Sequence, residues 1–200
     1  MNVPDVKRRA RGIQRNRRRI VTVIGSGRSA DAHSADVGHL IATLGVDLLT
    51  GGGRGVMEAA SRAFFETSPR QGLVIGVVPG KVRTLRELEE RNATDVEYEL
   101  SSGYPNEWVE LAIYTHLPDS GVEGTLGSSR NHLNVLSADA VVALPGREGT
   151  ESEVWLATQY KVPVIAYGAY PDHRVPHGIP HAPTLDALRE FLVRVLGIGD

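Results

Sequence analysis

The chain has 200 residues, 41% of them hydrophobic and 23% charged, with a net charge of −2 and no cysteine. That length and apolar content fit one large domain with a sizeable core. The lack of cysteine excludes disulfides, thiolate metal sites and cysteine nucleophiles, and fits a reducing compartment. No apolar run approaches the roughly 20 residues that span a bilayer, and Ile20–Ile24 is too short for a signal-peptide core. A cytoplasmic protein with no membrane partner is expected.

The small net charge hides an asymmetry. Residues 1–19 carry eight basic side chains and one acid, Asp5, a charge of +7 that leaves −9 for residues 20–200. The expected organisation is a basic, flexible arm over 1–19 and a single domain over 20–200. Such an arm could meet nucleic acid or an acidic surface. The acidic body argues against nucleic acid as the domain's ligand.

In chain order, Arg19–Ile24 is short and β-branched, a buried strand. Gly25-Ser26-Gly27-Arg28-Ser29 follows, then an amphipathic run through Val37, Leu40 and Ile41 that ends at Gly45. This is strand, glycine loop, helix, a phosphate- or ribose-facing turn with Arg28 and Ser29 as polar contacts. A third glycine of a dinucleotide fingerprint is missing, and no clear acid ends the second strand. Val46–Thr50 is that second strand. Gly51, Gly52, Gly53 and Gly55 surround Arg54 before the next helix, more glycine than a turn requires, so the backbone here approaches something closely.

Gly72–Val78 reads as a third strand. Lys81–Asn92 is charged, a short surface helix or lid, and Asp95–Ser101 a short edge strand. Gly103-Tyr104-Pro105 breaks the chain, and Trp108–Thr115 reads as the fourth main strand. Ser128–Leu136 is a short helix with Ser129, Arg130 and Asn131 at its start, a good anion site because guanidinium binds phosphate in a bidentate way.

The strand Ala140–Leu144 leads through Pro145-Gly146-Arg147-Glu148-Gly149-Thr150 into a helix. Thr150 caps it and Glu153 lies at capping-box spacing. The same loop can also hold a phosphate on Gly146, Arg147, Gly149 and Thr150 with Glu153 beside it. Val162–Tyr167 reads as the last parallel strand. His173, His177 and His181 sit in a Pro/Gly-rich loop, where a spacing of four does not bring ligands together, so no metal site is expected. Thr184 caps a final amphipathic helix with Leu185, Leu188, Leu192 and Val195.

The β-α repeat with no breaking linker gives one doubly wound, mostly parallel α/β sheet, Rossmann-like, with helices on both faces. Ligands of such sheets bind beyond the carboxyl ends of the strands at the switch point. Gly25–Ser29, Gly51–Gly55, Ser128–Asn131 and Gly146–Thr150 are expected to converge there.

Two stretches carry a family resemblance over about residues 20–168. Thr50-Gly-Gly-Gly-Arg-Gly-Val-Met57 resembles the glycine-rich first motif of the LOG family of nucleotide phosphoribohydrolases. Pro145-Gly-Arg-Glu-Gly-Thr-Glu-Ser-Glu153 resembles that family's Pro-Gly-Gly-x-Gly-Thr-x-x-Glu. Ser129-Arg130-Asn131 with Ala138-Asp139-Ala140 is closer to a neighbouring branch of the superfamily, the one containing molybdenum-cofactor carrier proteins. Arg147 stands where the motif has its second glycine, and Asn131 where the LOG enzymes have a lysine.

The resemblance implies a homodimer or larger assembly and a small phosphorylated ligand. In the hydrolase reading Arg130 and Glu153 are the catalytic pair, cleaving the N-glycosidic bond of a nucleoside 5′-monophosphate without a cofactor. The 5′-phosphate sits on Gly52–Gly55 and Gly149-Thr150, with Glu148 and Glu151 as further candidate acids. In the alternative reading the same loops carry the molybdenum cofactor, or another pterin or nucleotide, without converting it. With no cysteine, the metal would then be held through its own ligand.

Overall fold

The computed structural model describes residues 17–82, 97–170 and 178–199. The first strand, β1 (Ile20–Ile24), is β-branched throughout and is buried from Val21 onward. It pairs in parallel with β2 (Asp47–Thr50) on one side and β7 (Ala140–Ala143) on the other. β2 leads outward to β3 (Val74–Val78) and β6 (Leu111–Tyr114), and β7 to β8 (Val164–Tyr167) and β9 (His181–Ala182). The resulting seven-stranded sheet has the order β6-β3-β2-β1-β7-β8-β9. The chain therefore winds outward from β1, returns to its other side, and winds outward again. The reversal places the switch point between β1 and β7.

Alternation along the central strands feeds two cores. Val21, Val23, Ala140 and Val142 pack with α1 (Ser34–Thr43), α2 (Val56–Glu66) and α5 (Leu185–Leu196), around the fully buried Phe64, Ile41 and Leu192. Ile24, Val141 and Ala143 face the other way, onto α3 (Asn131–Ser137) and α4 (Glu148–Gln159). Helices thus cover both faces, as the β-α alternation predicts. Thr184 caps α5 as expected, its side chain accepting from Ala187 N. No helix among the described residues is long and apolar enough to cross a membrane.

Several expectations are corrected. The strand expected over Trp108–Thr115 is confined to Leu111–Tyr114. Asn106 folds the chain into a turn ahead of it, accepting at its carbonyl from Val109 N and at its side chain from Trp108 N. It is an edge strand, so Leu111, Ile113 and Tyr114 are exposed. Residues Tyr98–Leu100 (β5) pair antiparallel with Gly80–Val82 (β4), forming a separate ribbon rather than an edge of the main sheet. Lys81 and Val82 belong to that ribbon, while the rest of the expected helix or lid, from residue 83 on, lies outside the described residues. Val162–Tyr167 is not the last parallel strand, since the two-residue β9 joins it. There His181 Nε2 lies 2.9 Å from the Gly168 carbonyl, whereas His173 and His177 fall outside the described residues.

Most of the basic arm also lies outside the described residues, but its last three arginines meet the domain. Arg17 Nη2 reaches Asp139 Oδ1 at 2.6 Å and Arg18 Nη1 reaches Asp47 Oδ1 at 2.9 Å. Arg19 approaches Asp139 at 3.6 Å, and the other oxygen of that carboxylate accepts from Ile20 N.

Candidate functional site

A cavity of about 350 Å³ opens at the carboxyl ends of β1 and β7, at the switch point. Most of it is built by the loop after β1, Gly51 after β2, the start of α3 and the entry to α4, and Met57, Tyr104, Ser120 and Gly121 complete the lining. At its mouth stand the exposed Arg28 and Arg147, with Glu148. At its base are Arg130, Asn131, Asn134 and Glu153, all buried.

The entry to α4 differs from the capping-box reading. The helix begins at Glu148, Arg147 occupies the N-cap position, and no side chain caps it. Thr150 is already inside the first turn, so it is not the cap. Its hydroxyl packs back on Gly146, where a Cβ would collide with Thr150 Oγ1. Glycine at 146 is thus what lets the chain turn into the helix this early. The first turn of α4, whose N–H groups no side chain caps, lines the cavity through Glu148, Gly149 and Thr150, and a helix start of this kind favours an anion.

Glu153 lies one turn further along α4. Its Oε1 accepts from Asn134 Nδ2 at 2.8 Å. Burial pushes its carboxyl up to about 7, against the smaller opposing effects of that hydrogen bond and the Arg130 charge. Arg130 sits at the start of α3 and reaches across to the ends of β2 and β3. Its Nη1 donates to the carbonyls of Gly51 and Val77, and its Nη2 lies 3.4 Å from the Tyr104 hydroxyl. The guanidinium also stacks over the Tyr104 ring at 5.1 Å. Two atoms of these residues, Arg130 Nε and Asn134 Oδ1, are buried without a hydrogen-bond partner among the described residues.

Of the residues singled out in the sequence, Gly25, Ser26, Gly27, Arg28, Gly51, Arg130, Asn131, Arg147, Gly149, Thr150 and Glu153 come together in this cavity. Gly52, Gly53, Arg54, Gly55, Ser129 and Gly146 are not part of its lining. The long glycine run has a packing explanation. The Gly52 and Gly53 carbonyls accept from Asn106 N and Nδ2, both at 2.8 Å. A Cβ at Gly51 would meet Arg130, and one at Gly53 would meet the Tyr104 ring at 2.8 Å. Gly55 has φ of 68°, and a Cβ there would collide with the Ser26 carbonyl. Only Gly51 of this run lines the cavity, so the close approach is to protein groups along most of the loop. Ser129 Oγ donates to the Asp119 carbonyl and accepts from Asn131 N, which holds the start of α3. Of the further acids, Glu148 reaches the rim and Glu151 does not.

Sequence reading missed Asn134, Tyr104, Met57, Ser120 and Gly121, which also line the cavity. Asn134 had a signal: it lies four residues after Arg130 and three after Asn131, hence on the same helical face. Tyr104 and Met57 had none, since they arrive from a break and from a helix interior. Among the described residues no group of three or more His, Asp or Glu side chains is placed to hold a metal ion.

A family model described as the SLOG cluster4 family matches residues 18–184. No curated protein matches the sequence at a significant level. Among solved structures, the molybdenum cofactor binding protein of the phototrophic bacterium Rippkaea orientalis is 27% identical with a TM-score of 0.65, covering 90% of this chain and 99% of that one. The molybdenum cofactor carrier protein of Chlamydomonas reinhardtii is 26% identical with a TM-score of 0.65 and the same coverage. The protein TM1055, at 20% identity and TM-score 0.58 over 88% of this chain and 99% of that one, shares the fold.

Proposed function

This chain belongs to the SLOG cluster4 family, and on that premise we propose that it binds a phosphorylated pterin or nucleotide, with the molybdenum cofactor as its cargo, and carries it unconverted. The supporting observation is the polarity of the cavity. Arginines without acidic partners among the described residues and the free N–H groups of α4 stand at the mouth, while the buried, unpartnered Arg130 Nε and Asn134 Oδ1 belong to residues at its base. A phosphate suits the first and a heterocycle rich in donors and acceptors the second. The likeness to two cofactor-binding proteins over nearly their whole length points the same way.

The metal travels with its own ligand in this reading. The chain has no thiolate to offer it. The protein's part is to seat the phosphate and enclose the organic ring. The test is anaerobic titration with the cofactor. Saturable binding that Arg147→Ala weakens supports the reading, and no detectable binding removes it.

One observation favours hydrolysis of nucleoside 5′-monophosphates as a second reading: Glu153, raised to about 7, sits in the range suited to a general acid or base. Against it, the Nη1 donor of Arg130 is already occupied by two backbone carbonyls. Release of free base from AMP above an Arg130→Ala, Glu153→Ala control decides this. The assembly state proposed with the carrier reading, a homodimer or larger in the cytoplasm, is measurable by light scattering.

A further inference from the structure

Beside the main cavity lies a second, of about 210 Å³, lined by Gly27, Arg54, Ser102, Gly103 and Tyr104. It shares Gly27 and Tyr104 with the first, so the Tyr104 ring is the partition between them. That ring is held in place. Arg130 stacks on it at 5.1 Å, and a Cβ at Gly53 would come within 2.8 Å of it. The shared rim at Gly27 is exposed and has no side chain, which lets a ligand cross close to the backbone.

The lining of the second cavity carries one cation and no carboxylate. Arg54 lies over Gly103, where a Cβ would sit 3.4 Å from its Nε. Among the described residues no hydrogen bond or ion pair joins Arg54 to another residue, and Arg28 and Arg147 at the main mouth lack acidic partners as well. Elsewhere on the domain Arg17, Arg18, Arg19, Arg62 and Arg70 each face a carboxylate. Among the described residues, apart from Arg189 and Arg194 on the outer helix α5 and Arg130 buried at the base of the main cavity, the arginines without an acidic partner are Arg28, Arg54 and Arg147, all exposed and all lining one or the other cavity.

We propose that the second cavity is an anion subsite built on Arg54. The ligand then carries two linked anionic groups, as a pyrophosphate-bridged nucleotide does, and crosses Gly27 from the main mouth. This rests on the reading of the main cavity as a phosphate site. A guanidinium with no competing acid holds a phosphate by charge-assisted, bidentate hydrogen bonds. Tyr104 sets the angle at which the two halves of the ligand diverge.

The experiment titrates wild type and Arg54→Ala anaerobically with four probes: the molybdenum cofactor as its monophosphate, the same cofactor joined through pyrophosphate to a nucleotide, AMP and ADP. Wild type is expected to bind the pyrophosphate member of a pair about tenfold more tightly. Arg54→Ala removes that preference and leaves both the monophosphate affinity and the melting temperature unchanged, because Arg54 is exposed. Equal wild-type affinity within a pair, or equal loss on both members in the variant, overturns the subsite. Selective ADP binding with no binding of either cofactor form keeps the subsite and retires the cofactor reading. Binding of the monophosphate cofactor without preference does the reverse, and binding of none of the four overturns both.

Discussion

Asn134 Nδ2 donates to Glu153 Oε1 at 2.8 Å, a contact between residues 19 positions apart in sequence. It ties α3 to α4 at the base of the cavity. It also fixes the side chain whose protonation the cavity shifts to about 7.

Stability should depend on pH through Glu153. Its carboxyl is raised from 4.5 to about 7 in the fold. The folded state therefore holds this proton more tightly than the unfolded chain does. Stability from this group is fully present below about pH 4.5 and is lost as pH rises through about 7. The whole shift corresponds to about 3 kcal/mol. Glu153→Gln, which keeps the Asn134 partner and cannot ionise, should flatten this slope. Melting curves from about pH 4 to 8 should show the variant gaining on wild type as pH rises. Parallel curves would refute the assignment.

Arg130 is a structural clamp as much as a ligand-facing residue. Its loss leaves the Gly51 and Val77 carbonyls and the stacked Tyr104 ring without their partner. Unsatisfied buried acceptors cost about 1–3 kcal/mol each. Arg130→Ala should therefore lower stability in urea unfolding by about 3 kcal/mol. Arg130→Lys should recover only part of that, since one ammonium cannot reproduce the planar fork. A purely ligand-binding arginine would leave stability unchanged.

The glycine run is expected to be intolerant for steric reasons that can be separated. Gly53→Ala drives a methyl group into the Tyr104 ring. The cost should be about 1–3 kcal/mol and should shrink in a Tyr104→Ala background, giving a clear coupling in a double-mutant cycle. Gly55→Ala combines a positive φ with contact on the Ser26 carbonyl, so no side-chain deletion should rescue it. An additive Gly53, Tyr104 pair would show that the ring does not dictate the glycine.

Arg147 stands where the related motif has glycine, at the exposed mouth. Arg147→Gly should weaken a phosphorylated ligand by about tenfold at low salt, with the difference shrinking as ionic strength rises. Unchanged affinity at all salt concentrations would mean that α4 alone holds the anion.

Much of this architecture is written locally. The β-branched run at Ile20–Ile24, the helical period of Val37, Leu40 and Ile41, and the Thr184 cap depend on neighbours within a few residues, so periodicity and capping chemistry are enough to place them. The edge at which Gly25, Gly27, Gly51 and Gly149 meet was equally legible, because a doubly wound sheet sends its ligand-facing strand ends to one edge. The parts that misled were those decided by distant groups. Trp108–Thr115 is apolar enough for a full-length strand of the main sheet, and it supplies the fourth one in chain order, yet the Asn106 turn confines it to Leu111–Tyr114 at the edge. Thr150 has the chemistry of a cap, but the tight turn at Gly146 starts the helix ahead of it, at Glu148. The glycine run has the composition of a phosphate cradle, whereas Asn106, Tyr104 and Arg130 explain most of it. Sequence alone determined the fold and the edge of the sheet where the candidate site forms. The tertiary structure decided that Asn134 meets Glu153, that Tyr104 divides two cavities, and how far burial raises a carboxyl, because each depends on groups that only folding brings within a few ångströms.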